Sequence, residues 1–171
     1  MCCVIPKPFP DFPDHAWFQS ELSQADSLER TLLKSTAKTA SQRNIAWHAI
    51  LEACDGDLNG LELRQENREQ YALILLDPSE PGRYRAQFYD ARGFYGHITR
   101  DTPYEVFQEV VCEGFQRLAK GSLVALSQTS EWQRGSLVTN LIAEVNLGRI
   151  SHSDMLKQLE QFDREQRVEA A

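Results

Sequence analysis

Along this chain the spacing of apolar residues changes, and the changes divide it into parts. From residue 15 to 34, Trp17, Phe18, Leu22, Ala25, Leu28, Leu32 and Leu33 recur at helical spacing, with a break near Asp26–Ser27. The polar stretch STAKTASQRN (35–44) reads either as a loop or as an exposed continuation of the helix. Trp47, Ile50, Leu51 and Cys54 then fall at i, i+3, i+4 and i+7, which is one face of a helix. After residue 60 the period drops to two. Leu61 and Leu63 alternate with polar residues, YALILL (71–76) is a continuous apolar run, and residues 83–89 and 94–99 alternate again. The breaks between them, DPSEPG and Asp90–Gly93, have turn chemistry. The pattern predicts a four-stranded antiparallel meander over 61–99, with the central YALILL strand covered on both faces.

Helical spacing returns after residue 102. Thr102, Pro103 and Glu105 spell a capped helix start, and Val106, Phe107, Val110, Val111 and Phe115 form its predicted buried face, with Gly114 as a stop. Residues 122–147 predict one or two helices interrupted near Arg134–Gly135, and Leu147–Gly148 reads as a C-cap. A last helix, capped by Ser151 or Ser153, carries Met155, Leu156, Leu159 and Phe162 and should form a hairpin with the one before it. The final REQRVEAA should fray. The first 14 residues read differently. Pro6, Pro8, Pro10 and Pro13 block helix and predict an extended arm, whose Phe9 and Phe12, with Trp17 and Phe18, dock on the domain or on a partner. The fold class predicted is therefore α+β in one domain over 15–171: helical 15–54, meander 61–99, helical 102–168.

Composition narrows the function classes. The 171 residues carry a net charge of −7, which disfavours generic duplex binding, because phosphate contacts are mostly electrostatic. No apolar run approaches the roughly 18 residues of a membrane helix, and the start lacks the apolar core of a signal peptide. Of the four cysteines, Cys2 and Cys3 are adjacent, Cys54 and Cys112 lie in apolar patterns, and no C-x-x-C occurs. Together these predict a soluble, cytoplasmic protein with reduced thiols and no membrane partner.

Two stretches carry candidate chemistry. Residues 83–100 hold Arg83, Arg85, Arg92 and Arg100 against Asp90 alone. Alternation puts Arg83, Arg85, Gln87 and Tyr89 on one face of their strand, and Tyr95, His97 and Thr99 on one face of the next. In register, Arg83, Arg85, Tyr89, Tyr95 and His97 would make a basic, aromatic partner-binding surface. Such a surface suits a protein segment, an acidic one included, or bases of single-stranded nucleic acid stacked on its rings. The second stretch is DGDLNGLELRQE (55–66). Asp55, Asp57, Asn59, Gly60 and Glu66 match the D-x-[DN]-x-[DN]-G-x5-E spacing, and with the apolar helix before them they resemble an EF-hand calcium loop. Calcium would be held by Asp55, Asp57, Asn59 and Glu66. The stretch departs from the EF-hand pattern at Glu62 and Leu63, and a strand follows it in place of an exiting helix. The competing reading is a polar turn between helix and strand.

No reaction motif or metal-spaced histidine pair occurs among His15, His48, His97 and His152. The sequence therefore leans away from an enzyme, with no catalytic residue assigned. The leading expectation is a small accessory or regulatory protein that binds a protein partner through the basic-aromatic sheet region, the N-terminal arm or both. Single-stranded nucleic-acid binding and calcium binding are the alternatives, and the C-terminal hairpin offers a homodimer contact.

Overall fold

The computed structural model describes residues 16–169, so the arm at residues 1–14 lies outside the described residues. The helix α1 (Ala16–Gln24) ends where a break is predicted, and Asp26 starts the next helix, α2 (Ser27–Ala53). Asp26 accepts from the amides of Leu28 and Glu29, while Glu29 accepts from the Asp26 amide, a complete capping box. The polar stretch 35–44 is helical, so α2 runs unbroken for 27 residues, about 40 Å. From Ala37 onward it turns Ala37, Ala40, Asn44, Trp47, Ile50 and Leu51 inward, and its first ten residues bury no side chain.

Four strands follow as predicted: β1 (Glu62–Gln65), β2 (Tyr71–Leu76), β3 (Tyr84–Asp90) and β4 (Gly93–Arg100). The capped helix α3 (Pro103–Cys112) then crosses the sheet, and a fifth strand, β5 (Phe115–Leu118), pairs with β1. The sheet is antiparallel throughout, in the order β4-β3-β2-β1-β5. Phe115 therefore opens a strand instead of closing the buried face of α3. Gly114, at φ +92°, reverses the chain just before it, a conformation that favours glycine.

Helices α2 and α3 pack on one sheet face. Trp47 stacks on Phe107 at 4.3 Å, over a core of Leu58, Leu61, Leu63, Ala72, Ile74, Ala86, Val106, Val110, Val111 and Phe115. Ala72 and Ala86 are small residues on central strands, and the stacked pair Phe88–Phe115 (5.3 Å) closes that end of the layer. On the opposite face β2 is covered only in part: Leu73 and Leu75 are half-buried, where coverage on both sides is predicted.

The C-terminal helices are α4 (Ser122–Ser127), α5 (Ser130–Asn146) and α6 (His152–Glu169). The predicted interruption near Arg134–Gly135 falls instead at Gln128–Thr129, because the Thr129 hydroxyl caps α5 by accepting from the Trp132 amide. Gly135 lies inside α5, where it serves close packing. A Cβ there would stand 1.7 Å from the Arg92 carbonyl oxygen in the β3–β4 turn. The hairpin α5–α6 forms as predicted, clamped by Arg134 on Asp163 (Nε to Oδ1, 2.7 Å). Among the described residues no helix is long and apolar enough to cross a membrane.

Candidate partner-binding surface

The β3–β4 hairpin positions the residues singled out by the sequence. Its register pairs Arg85 with Thr99, Gln87 with His97 and Phe88 with Gly96, then slips so that Tyr89 faces Phe94. Tyr95 is the extra residue of this bulge, which breaks the alternation. Its ring stacks on Phe88 at 6.1 Å, on the α2–α3 side, while His97 stands beside Gln87 on the other side. Tyr95 and His97 are both exposed, but the bulge sends them to opposite faces.

The two arginines are held by carboxylates. Arg83 donates to Asp101 (2.9 Å) and to Glu80. Arg85 grips Asp77 with two bonds, Nη2 to Oδ1 at 2.9 Å and Nε to Oδ2 at 3.1 Å, and its Nη2 also reaches Ser79 Oγ at 2.6 Å. Asp77 further accepts from Thr99 Oγ1 (2.7 Å), Ser79 Oγ (2.9 Å) and the amides of Ser79 and Glu80. Burial by itself would raise its pKa. The bonds from Thr99, Ser79 and Arg85 outweigh that and hold the carboxyl well below the usual carboxylate range. This cluster fastens the β2–β3 turn to β4.

Tyr89 is fully buried, at 0% exposure. Trp132 packs edge-on against it at 6.0 Å and against Phe94 at 5.1 Å, while Tyr71 stacks on its ring at 5.3 Å. Its hydroxyl meets Ser122 Oγ at 2.8 Å and Glu62 Oε2 at 3.2 Å. Glu62 Oε2 also accepts from Ser122 Oγ (2.6 Å) and the Leu123 amide (3.1 Å). Burial acts to raise the Glu62 pKa, and the bonds from Ser122, Leu123 and Tyr89 bring it down overall. Burial also pushes the Tyr89 phenol up. Of the five predicted residues, then, Tyr95 and His97 face solvent, Arg83 and Arg85 are neutralised, and Tyr89 lies under α4 and α5. Phe94, half-exposed at 49%, belongs to the accessible surface. Sequence alternation passed over it because the bulge sets its direction.

In residues 55–66, Asp55 adopts φ +51° and Gly56 φ +75°, and Asp57 Oδ1 accepts from the Asn59 amide in a local turn. Leu58 and Leu61 turn into the core. Leu61 to Glu66 are five extended steps, about 16 Å, and Glu66 pairs with Arg117. Asp55, Asp57 and Asn59 thus sit at one end of β1 and Glu66 at the other. Among the described residues no three His, Cys, Asp or Glu are grouped so as to hold a metal ion. Burial raises the pKa of the Cys54 and Cys112 thiols, which are free.

Comparison of the chain with protein-family models, with curated proteins and with solved structures returns no match.

Proposed function

We propose that this protein is a non-catalytic binding module that acts in the cytoplasm on a protein partner, with the edge strand β4 as its docking element. The observation that carries this reading is the eight-residue edge GFYGHITR, which presents Phe94, Tyr95 and His97 to solvent. An edge strand offers backbone donors and acceptors to an extended segment of another chain, and exposed side chains on both its faces supply selectivity. The state of the shifted carboxylates supports binding over catalysis. Asp77 accepts hydrogen bonds on both oxygens and Glu62 accepts three on Oε2, and both carboxyls are shifted below their ordinary pKa, which suits structural anchors better than groups poised to exchange protons near neutrality. The neutralised Arg83 and Arg85 favour a protein partner over a nucleic-acid strand, whose phosphates need free cations. A homodimer through the C-terminal helices is a second use of the molecule, supported by the exposed Ile142 and Leu156 on the α5–α6 hairpin.

The test is a pull-down from host extract with the full chain and with a Tyr95→Ser/His97→Glu variant, both with and without nuclease. The wild-type chain should recover a protein that survives nuclease treatment and is lost with the variant. Identical recoveries from both baits would reject β4 as the docking element.

A further inference from the structure

The main core is complete without the C-terminal helices. Its buried members come from α2, β1–β3, α3, β5 and the 58–61 turn, and neither they nor the partly buried residues packed on them include a residue of α4, α5 or α6. The C-terminal helices touch the sheet at a few places. Trp132 covers Tyr89 and Phe94, Ser122 and Leu123 hang on the Glu62 carboxylate, and Gly135 rests on the Arg92 carbonyl. Among its described side chains α6 buries none, and it is clamped to α5 by Arg134–Asp163. The connection back to the sheet runs through Gly121, at φ +82°, just after the Ala119 amide bonds to the Glu62 carbonyl.

On the sheet face that the helices cover in part, a row crosses all five strands, buried at Tyr89 and exposed at Arg64 and Arg117. Register aligns Phe94 with Tyr89, Tyr89 with Tyr71, Tyr71 with Arg64, and Arg64 with Arg117. Three aromatic rings thus stand in line with two arginines, and the middle ring, Tyr89, is the one the helices seal. We propose that α4–α6 form a lid that opens as a unit about Gly121, leaving the sheet and its α2–α3 layer folded and uncovering Tyr89 between Tyr71 and Phe94. The closed lid seals Tyr89 and meets one side of Phe94 through Trp132, while Arg64 and Arg117 stay exposed, so reaching the Tyr89 ring requires displacing Trp132. The lid shares Phe94 with the β4 edge, through its contact with Trp132, but its opening is read without any partner and so stands or falls apart from docking there.

Hydrogen exchange of the full chain at low denaturant, read by mass spectrometry, tests it. Amides of α5 should exchange through an opening that needs less free energy, and shows a shallower denaturant slope, than the opening that exposes β2 and β3. One common free energy and slope for α5, β2 and β3 would overturn the proposal. A Trp132→Ala chain gives the second arm. Its α5 amides should exchange at least about 100-fold faster, from loss of a buried aromatic anchor, while those of β2 shift less than about threefold. Equal acceleration in both elements, or none in α5, would overturn it as well.

Discussion

Two single positions in this molecule show how a backbone contact outranks a side chain's intrinsic preference. At Gly135, alanine would improve helix propensity by about 1 kcal/mol. The Cβ, however, would meet the Arg92 carbonyl oxygen at 1.7 Å, and a backbone atom cannot turn aside as a flexible side chain can. Gly135→Ala is expected to destabilise the seat of α5 by about 1–3 kcal/mol, measurable as a lower urea midpoint by tryptophan fluorescence. A neutral or stabilising result would mean that α5 does not sit against the β3–β4 turn. At Asp77 the carboxylate serves Arg85, Thr99 and Ser79 together. Asp77→Asn keeps the volume but removes the charge that Arg85 faces, so it should lower Tm and loosen the β2–β3 turn. Proton NMR that shows Thr99 and Ser79 unmoved would contradict this.

At the scale of elements, two well-formed caps should differ in what they stabilise. Thr102 caps α3, whose Val106, Phe107, Val110 and Val111 are all fully buried. Thr102→Ala should therefore cost about 1 kcal/mol of global stability. Asp26 caps α2 as completely, yet the first ten residues of that helix bury no side chain. Asp26→Ala should fray that segment, visible in amide exchange, and leave Tm nearly unchanged. A Tm loss from Asp26→Ala equal to that from Thr102→Ala would mean that the start of α2 is coupled to the core. The caps, the α1–α2 break and the first four strands are written in local sequence: an Asp or Thr followed three residues on by Glu, and apolar periods of 3.6 or two. The strand β5 is not. FQRL is too short to show a period, and only pairing with β1 makes it a strand. The bulge at Tyr95 is equally silent in sequence, and it separates Tyr95 from His97.

For the whole molecule, pH reaches stability through Glu62 and Asp77, whose carboxyls titrate below their ordinary values of 4.5 and 3.8. A group with a depressed folded pKa adds stability that is fully present above its unfolded pKa and is lost as pH falls through the folded one. The protein should therefore keep a constant Tm from neutrality down to about pH 5 and lose stability below it, with the start of α4 releasing first as Glu62, which Ser122 and Leu123 bond, becomes protonated. A Glu62→Gln chain should lose less stability on acidification than the wild type, and parallel curves for the two would rule out the Glu62 contribution. Calcium is expected to leave Tm unchanged, because Glu66 is drawn to Arg117 at the far end of β1 from Asp55 and Asp57. A rise in Tm on adding calcium would revive the loop as a metal site.

The sequence by itself determined the α+β class, the order of the elements apart from β5, and most helix ends, because periodicity, caps and turns act between residues a few positions apart. It also pointed to the β3–β4 hairpin as the place to look for a surface. Only the tertiary structure decided which of those residues are available. The partners of Arg83 and Arg85 lie across turns and strands, Tyr89 is sealed by residues more than thirty positions later in the chain, and one bulge reverses Tyr95. Exposure and charge pairing are properties of what lands beside a residue, and local spacing carries no record of that.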